Sequence, residues 1–321
     1  MPTYTGISSE AFRHPLDREA EETLRSLPGF DILAGKFVEF VYERPQFVYN
    51  MGNSIEVGPR QYPTVYGIFR ECARDLDVTP QPTLFVSQTP LANAYSLGRE
   101  RPSMTLNAGL LDLFSEDELR SVIAHELGHI KCGHTILIQM AMWVISTATL
   151  IGQRTLGLGE LIGGGLIFAF YEWRRKAELS ADRAALLVLD NTEVVMRTMM
   201  KLAGGSHKYA EECDLDEFIH QARRYQDLDR DELNQVYKFL LYNGARGTML
   251  SHPFPVERLS YLQEWSQSSE YQQMRSGHYL RVDTDVEAQP GRDRASEAEE
   301  LRRQVEQLQQ EIQRVREQNN R

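Results

Sequence analysis

Apolar positions recur with a helical period along much of the chain and read as extended only in one short stretch. Residues 15–43 read as two helical runs. DREAEETLRSL carries a charged face, Pro28 and Gly29 break the pattern, and DILAGKFVEFVYE resumes it. TVYGIFRECARDL predicts a further helix over 64–76. TPQPTLFVSQ then turns into a strand around 83–87, with two more extended segments in ANAYSL (92–97) and SMTLN (103–107). These make a small sheet of three or four strands.

The next run, LLDLFSEDELRSVIAHELGHIKCGH, predicts a helix with a defined start. Ser115 is a good N-cap and Glu118, three residues on, completes a capping box. Leu119, Val122, Ile123 and Leu127 form its buried side. Residues 135–153 carry no charge, and 155–171 carry only Glu160. Both are short for membrane spans and diluted by polar and glycine positions, so 135–171 reads as an apolar helical hairpin that packs on the domain or touches a membrane surface. EWRRKAELSADRAALLVLD (172–190) is a strong helix, and SHPFPVERLSYLQEW (251–265) enters a helix from a proline-rich turn. Residues 283–295 read as a linker. Beyond it Leu301, Val305, Leu308, Ile312 and Val315 follow a heptad, which predicts a coiled-coil tail over 296–321 and a homodimer through 297–318.

Composition narrows the function classes. A formal charge of -11 over 321 residues argues against nucleic-acid binding, which needs a basic surface. Cys72, Cys132 and Cys213 are odd in number and widely spaced, so they read as free thiols in a reducing compartment. The N-terminus has no basic segment followed by an apolar one, which gives a cytoplasmic expectation with membrane association through 135–171.

The candidate chemistry lies in AHELGHIKCGH, residues 124–134. In H-E-x-x-H the two histidines, His125 and His129, project from one helix face, one turn apart, and can bind one Zn²⁺. Glu126 between them can take a proton from a metal-activated water. A catalytic zinc needs a third protein ligand and an open fourth position. His134, five residues from His129, points around the helix from the ligand face and receives a structural or surface role. The 172–190 helix offers Glu172 and Glu178. Glu178 is the chosen ligand, because Asp182 lies four residues on, on the same face, where it can orient a ligating histidine. The small residues Ser180, Ala181, Ala184 and Ala185 would let this helix press against the first.

HELGH, then ELSAD, then HPFPVER, in that order, resembles the M48 family of zinc metallopeptidases of the gluzincin type, over roughly residues 60–265. The resemblance implies an α+β, mainly helical fold: a zincin-like core with a small edge-exposed sheet. It divides the chain into an N-terminal helical segment (1–60), a peptidase domain (61–282) with the hairpin inserted at 135–171, and the linker and tail. It implies His125, His129 and Glu178 as ligands of one Zn²⁺ per chain and Glu126 as general base. His252 would steady the oxyanion and Arg258 would brace the site. Asn93, Ala94 and Tyr95 resemble the family's element on the edge strand beside the cleft, where a peptide or unfolded protein substrate would bind. The expected activity is that of a zinc endopeptidase in protein quality control or processing. The competing reading is a zinc-bearing chaperone-like or adaptor protein, for which Glu126 would be dispensable.

Overall fold

In the computed structural model, residues 2–27, 30, 34, 43–98, 101–141, 164–243 and 252–282 are described. Helix α1 (Pro15–Ser26) starts with proline in its first turn and is capped by the His14 ring, whose Nδ1 accepts from the Leu16 N–H at 3.2 Å. Helix α2 (Glu43–Asn53) leads to a short strand β1 (Ile55–Glu56), and α3 (Pro63–Asp75) follows. The second run of the 15–43 prediction lies largely outside the described residues.

Strands β2 (Thr83–Ser87), β3 (Ala94–Leu97) and β4 (Ser103–Asn107) fall where the sequence placed them. The sheet order is β1-β2-β4-β3, with β2 parallel to β4 and the other pairs antiparallel. The sheet is therefore mixed, and β3 is an edge. Its two-residue strand β1 was not predicted: both of its residues are exposed, so no burial alternation marks them.

Helix α4 (Ala108–Leu113) follows β4 directly, and α5 (Glu116–Lys131) carries the HELGH segment. The capping box forms as predicted. Ser115 Oγ accepts from the Glu118 N–H, and the Ser115 N–H donates back to Glu118 Oε2 at 2.9 Å. Residues 134–141 are helical again. Helix α6 (Gly164–Leu189) begins eight residues before the predicted 172, because the end of the apolar stretch runs straight into it. Helices α7 (Thr192–Gly204), α8 (Leu215–Asp229), α9 (Glu232–Tyr242), α10 (Pro255–Ser266) and α11 (Ser269–Arg275) complete the described elements. The architecture is α+β and mainly helical.

The main core lies between the sheet and α3, α5, α6, α7 and α10, and the N-terminal residues Tyr4, Ile7 and Phe12 are buried in it. A second apolar cluster joins Leu24 of α1 and Phe30 to Leu137, Ile138, Leu166, Phe170 and Trp173. The flanks of the predicted hairpin thus pack on the N-terminal helix, and residues 142–163 lie outside the described ones. No described helix is long and apolar enough to cross a membrane. Met1–Tyr279 form one compact unit and Leu280–Arg321 another. The predicted linker and coiled-coil tail lie outside the described residues. The three cysteines are free.

Candidate metal centre

Two helices build the site by close approach. Gly128 of α5 sits against α6, where a Cβ on it would lie 2.6 Å from Ala184 Cβ and 3.1 Å from Ala181 Cα. Only a backbone without a side chain permits that separation. It brings Glu178 of α6 over the face of α5 that carries His125 and His129. The Nε2 atoms of His125 and His129 lie 3.3 and 3.5 Å from Glu178 Oε2 and Oε1. A tetrahedral zinc with bonds of about 2.0–2.2 Å sets its ligand atoms roughly 3.3–3.5 Å apart. His125, His129 and Glu178 therefore fit one metal ion, and they are a possible metal-holding group among the described residues. Glu178 is buried, and its Oε2 faces both the His125 ring and the Arg258 guanidinium. Glu172, the other carboxylate considered, points away: it is half exposed and pairs with Arg175 at 2.6 Å.

The neighbours of these groups are charged and ordered. Asp182 Oδ1 lies 3.0 Å from His125 Nδ1. Arg258, at the start of α10, donates to both Asp182 oxygens, from Nε at 2.8 Å and from Nη2 at 2.5 Å. Its Nη1 lies 3.2 Å from Glu178 Oε2. Burial alone would raise the Glu178 and Asp182 carboxyls. His252 and Arg258 around Glu178, and Arg258 beside Asp182, outweigh it and hold both below the usual carboxylate range. Burial pulls His125 down, but Asp182 and Glu178 overcome that and push it up to about 9. On His129 burial prevails and lowers it. Charged carboxylates facing imidazoles are the donor chemistry a divalent cation needs.

Glu126 is buried on the same helix and faces β3, where the Ser96 hydroxyl donates to its Oε2 at 2.8 Å. Ser96 was not among the predicted positions. The strand alternation could have suggested it, because Ser96 lies two residues from Ala94 and so shares its face. His252 is half exposed at the cleft, with Nε2 3.4 Å from Glu178 Oε1. Asn93 and Ala94 line the cleft beside His125, Glu126, Glu178 and His252; its floor is apolar, with Val122, Val195 and Met199. Tyr95 and Leu97 line its continuation past His129 and Arg174. One groove thus runs along the edge strand across the metal-holding group.

His134 takes the structural alternative of its expected role, but it points towards His129 and not away from it. Helix α5 ends at Lys131, and Gly133 adopts a left-handed φ of 72°, which closes the helix. His134 is thereby turned back inward rather than carried around the helix surface. It is fully buried, with Nδ1 3.0 Å from His129 Nδ1 and Nε2 3.0 Å from Asp17 Oδ2. Burial would raise the Asp17 carboxyl, but His134 and Arg13 hold it below the usual range. No local pattern could reveal this contact, since Asp17 and His134 are 117 residues apart.

A helix bearing H-E-x-x-H, a carboxylate returned to it by a second helix, and an open edge strand alongside are the parts of a metallopeptidase site. Residues 59–266 match Peptidase family M48, and the chain belongs to that family. It is 33% identical over 273 residues to the plastoglobule-localized metallopeptidase 48, chloroplastic, of Arabidopsis thaliana, covering 84% of this chain and 76% of that protein. It is 23% identical over 259 residues to a protease HtpX homolog of Moorella thermoacetica, covering 73% of this chain and 82% of that protein. It is 27% identical over 195 residues to the protease HtpX of Idiomarina loihiensis, covering 58% of this chain and 66% of that protein. No solved structure matches it.

Proposed function

We propose that this chain is a zinc-dependent endopeptidase. In this reading His125, His129 and Glu178 hold one zinc per chain, leaving a fourth position towards the groove. The observation that carries it is Glu178: a residue 49 positions beyond His129 in the chain arrives, buried, at 3.3 and 3.5 Å from two imidazole nitrogens. Zinc, when bound, acidifies water and polarises a carbonyl.

The chain's own residues do the rest. Glu126 accepts the proton of the attacking water and passes it to the leaving amine. Ser96 holds one Glu126 oxygen by its hydroxyl, which fixes the carboxylate against the edge strand. Asp182 fixes the His125 ring and Arg258 fixes Asp182. His252, half exposed at the cleft, donates to the developing oxyanion. Ala94 and Tyr95 lie on the edge strand β3, with Asn93 just before it, so an extended peptide can add beside them as a further strand. That recognition suits unfolded or extended protein segments and a role in quality control or processing.

Glu126→Gln tests the reading directly. Purified protein should keep near-stoichiometric zinc by elemental analysis, whereas cleavage of an unfolded protein substrate should fall by at least about a thousandfold. Cleavage equal to wild type would remove Glu126 from the mechanism. Glu178→Ala should instead lose the zinc.

A further inference from the structure

Each of the two histidines facing the candidate metal position has a second ring nitrogen, and the structure treats the two differently. For His125, Nδ1 meets the carboxylate of Asp182 directly at 3.0 Å. For His129, Nδ1 meets another imidazole, His134 Nδ1, at 3.0 Å. One of those two nitrogens must carry the hydrogen and the other must offer a lone pair.

The carboxylate at the far end decides which. His134 Nε2 lies 3.0 Å from Asp17 Oδ2, and a carboxylate oxygen only accepts. His134 Nε2 therefore carries hydrogen and donates to Asp17, whose charge Arg13 already balances, and in the neutral ring that leaves His134 Nδ1 as an acceptor. His129 Nδ1 then carries hydrogen and donates to it. The remaining nitrogen of His129, Nε2, is left with a bare lone pair, and that is the atom 3.5 Å from Glu178 Oε1. Asp17 itself is fully buried and held on three sides. Arg13 donates from Nε at 3.0 Å and from Nη2 at 3.4 Å, and Ser180 Oγ donates to Oδ2 at 2.7 Å. Ser180 is in turn held by the His14 N–H at 2.9 Å.

We propose that Asp17 and His134 are positioning residues that fix the ring orientation and tautomer of His129 through the chain Asp17–His134–His129. The metal centre thereby extends into helix α1, outside residues 59–266, which match the family. This inference rests on the reading of His129 as a metal ligand. The two ligand histidines are then each anchored by a carboxylate that an arginine holds: Asp182 with Arg258 directly, and Asp17 with Arg13 through one intervening imidazole.

The test measures zinc affinity of the full chain by chelator competition, together with the visible absorption of the Co²⁺-loaded protein. His134→Leu fills the space but can neither accept nor donate, and should weaken zinc about 10–100-fold. His134→Gln offers one acceptor and one donor and should restore most of that loss. Asp17→Ala should weaken zinc to a similar degree and shift the Co²⁺ bands. Because the residues act in series, the His134→Leu/Asp17→Ala double variant should bind zinc no worse than the weaker single variant. Additive losses would overturn the relay, as would wild-type affinity in either single variant. If His134→Leu does not fold, His134→Phe, which likewise can neither accept nor donate, takes its place in the same cycle, and additive losses overturn the relay equally. A wild type without zinc overturns the metal reading and the relay together. A zinc-binding wild type beside equally tight variants overturns the relay alone.

Discussion

At the scale of single residues, the centre is a set of buried charges that stand only because each faces an opposite charge. Arg258 is the clearest case, since its guanidinium contacts both Asp182 and Glu178. Arg258→Leu leaves two buried carboxylates short of a partner, so the metal-free protein should lose roughly 3–5 kcal/mol in urea unfolding. Arg258→Lys should recover part of that, because an ammonium restores the charge but not the fork. Ser96→Ala removes the hydroxyl donor to Glu126. Peptide cleavage should slow about tenfold at unchanged zinc content, a split that separates an effect on the base from an effect on the metal. His14 gives a pH dependence. Burial, aided by Arg183, pushes its imidazole down to about 4. That agrees with its Nδ1 accepting the Leu16 N–H. Between the unfolded value of about 6.5 and that lower value the unfolded chain binds the extra proton, so stability falls as pH falls through this window. Comparing wild type with His14→Asn, which still caps α1, the wild type should lose on the order of 2–3 kcal/mol more between pH 7 and pH 4.5.

At the scale of elements, the contact of α5 with α6 sets the metal-holding distances. Gly128→Ala inserts a Cβ 2.6 Å from Ala184 Cβ. The helices must separate, at about 1–3 kcal/mol, and Glu178 moves with α6. Reduced zinc affinity and a lower urea midpoint should appear together in this variant; a normal affinity would show that the helices adjust without moving Glu178. The elements themselves were largely legible. The start of α5 was readable because a capping box is a local arrangement within four residues. Strands β2 and β4 were readable from short apolar runs bounded by turn residues. The start of α6 was misplaced because the apolar residues before Glu172 carry no helix-start signal, so composition suggested a separate hairpin there.

At the scale of the whole molecule, the N-terminal residues are part of the body that holds the site. Tyr4, Ile7 and Phe12 lie in the main core, Leu24 in the second cluster, and Asp17 beside His134. A chain lacking residues 1–27 should therefore lose cooperative unfolding as followed by circular dichroism, although it retains everything from 59 to 266 that matches the family. By itself the sequence determined what is written within a few turns of chain: His125 and His129 on one helix face with Glu126 between them, the Ser115 cap, the pairing of Glu178 with Asp182 at one helical turn, and the three strands. Those follow from the periods of 3.6 and 2 residues and from local hydrogen bonding. Only the tertiary structure decided that Arg258 spans Asp182 and Glu178, that Ser96 reaches Glu126, and that Asp17 meets His134. Such contacts depend on how close α5 comes to α6 and on where α1 docks, and those separations are set by packing between segments far apart in the chain rather than by any pattern within one of them.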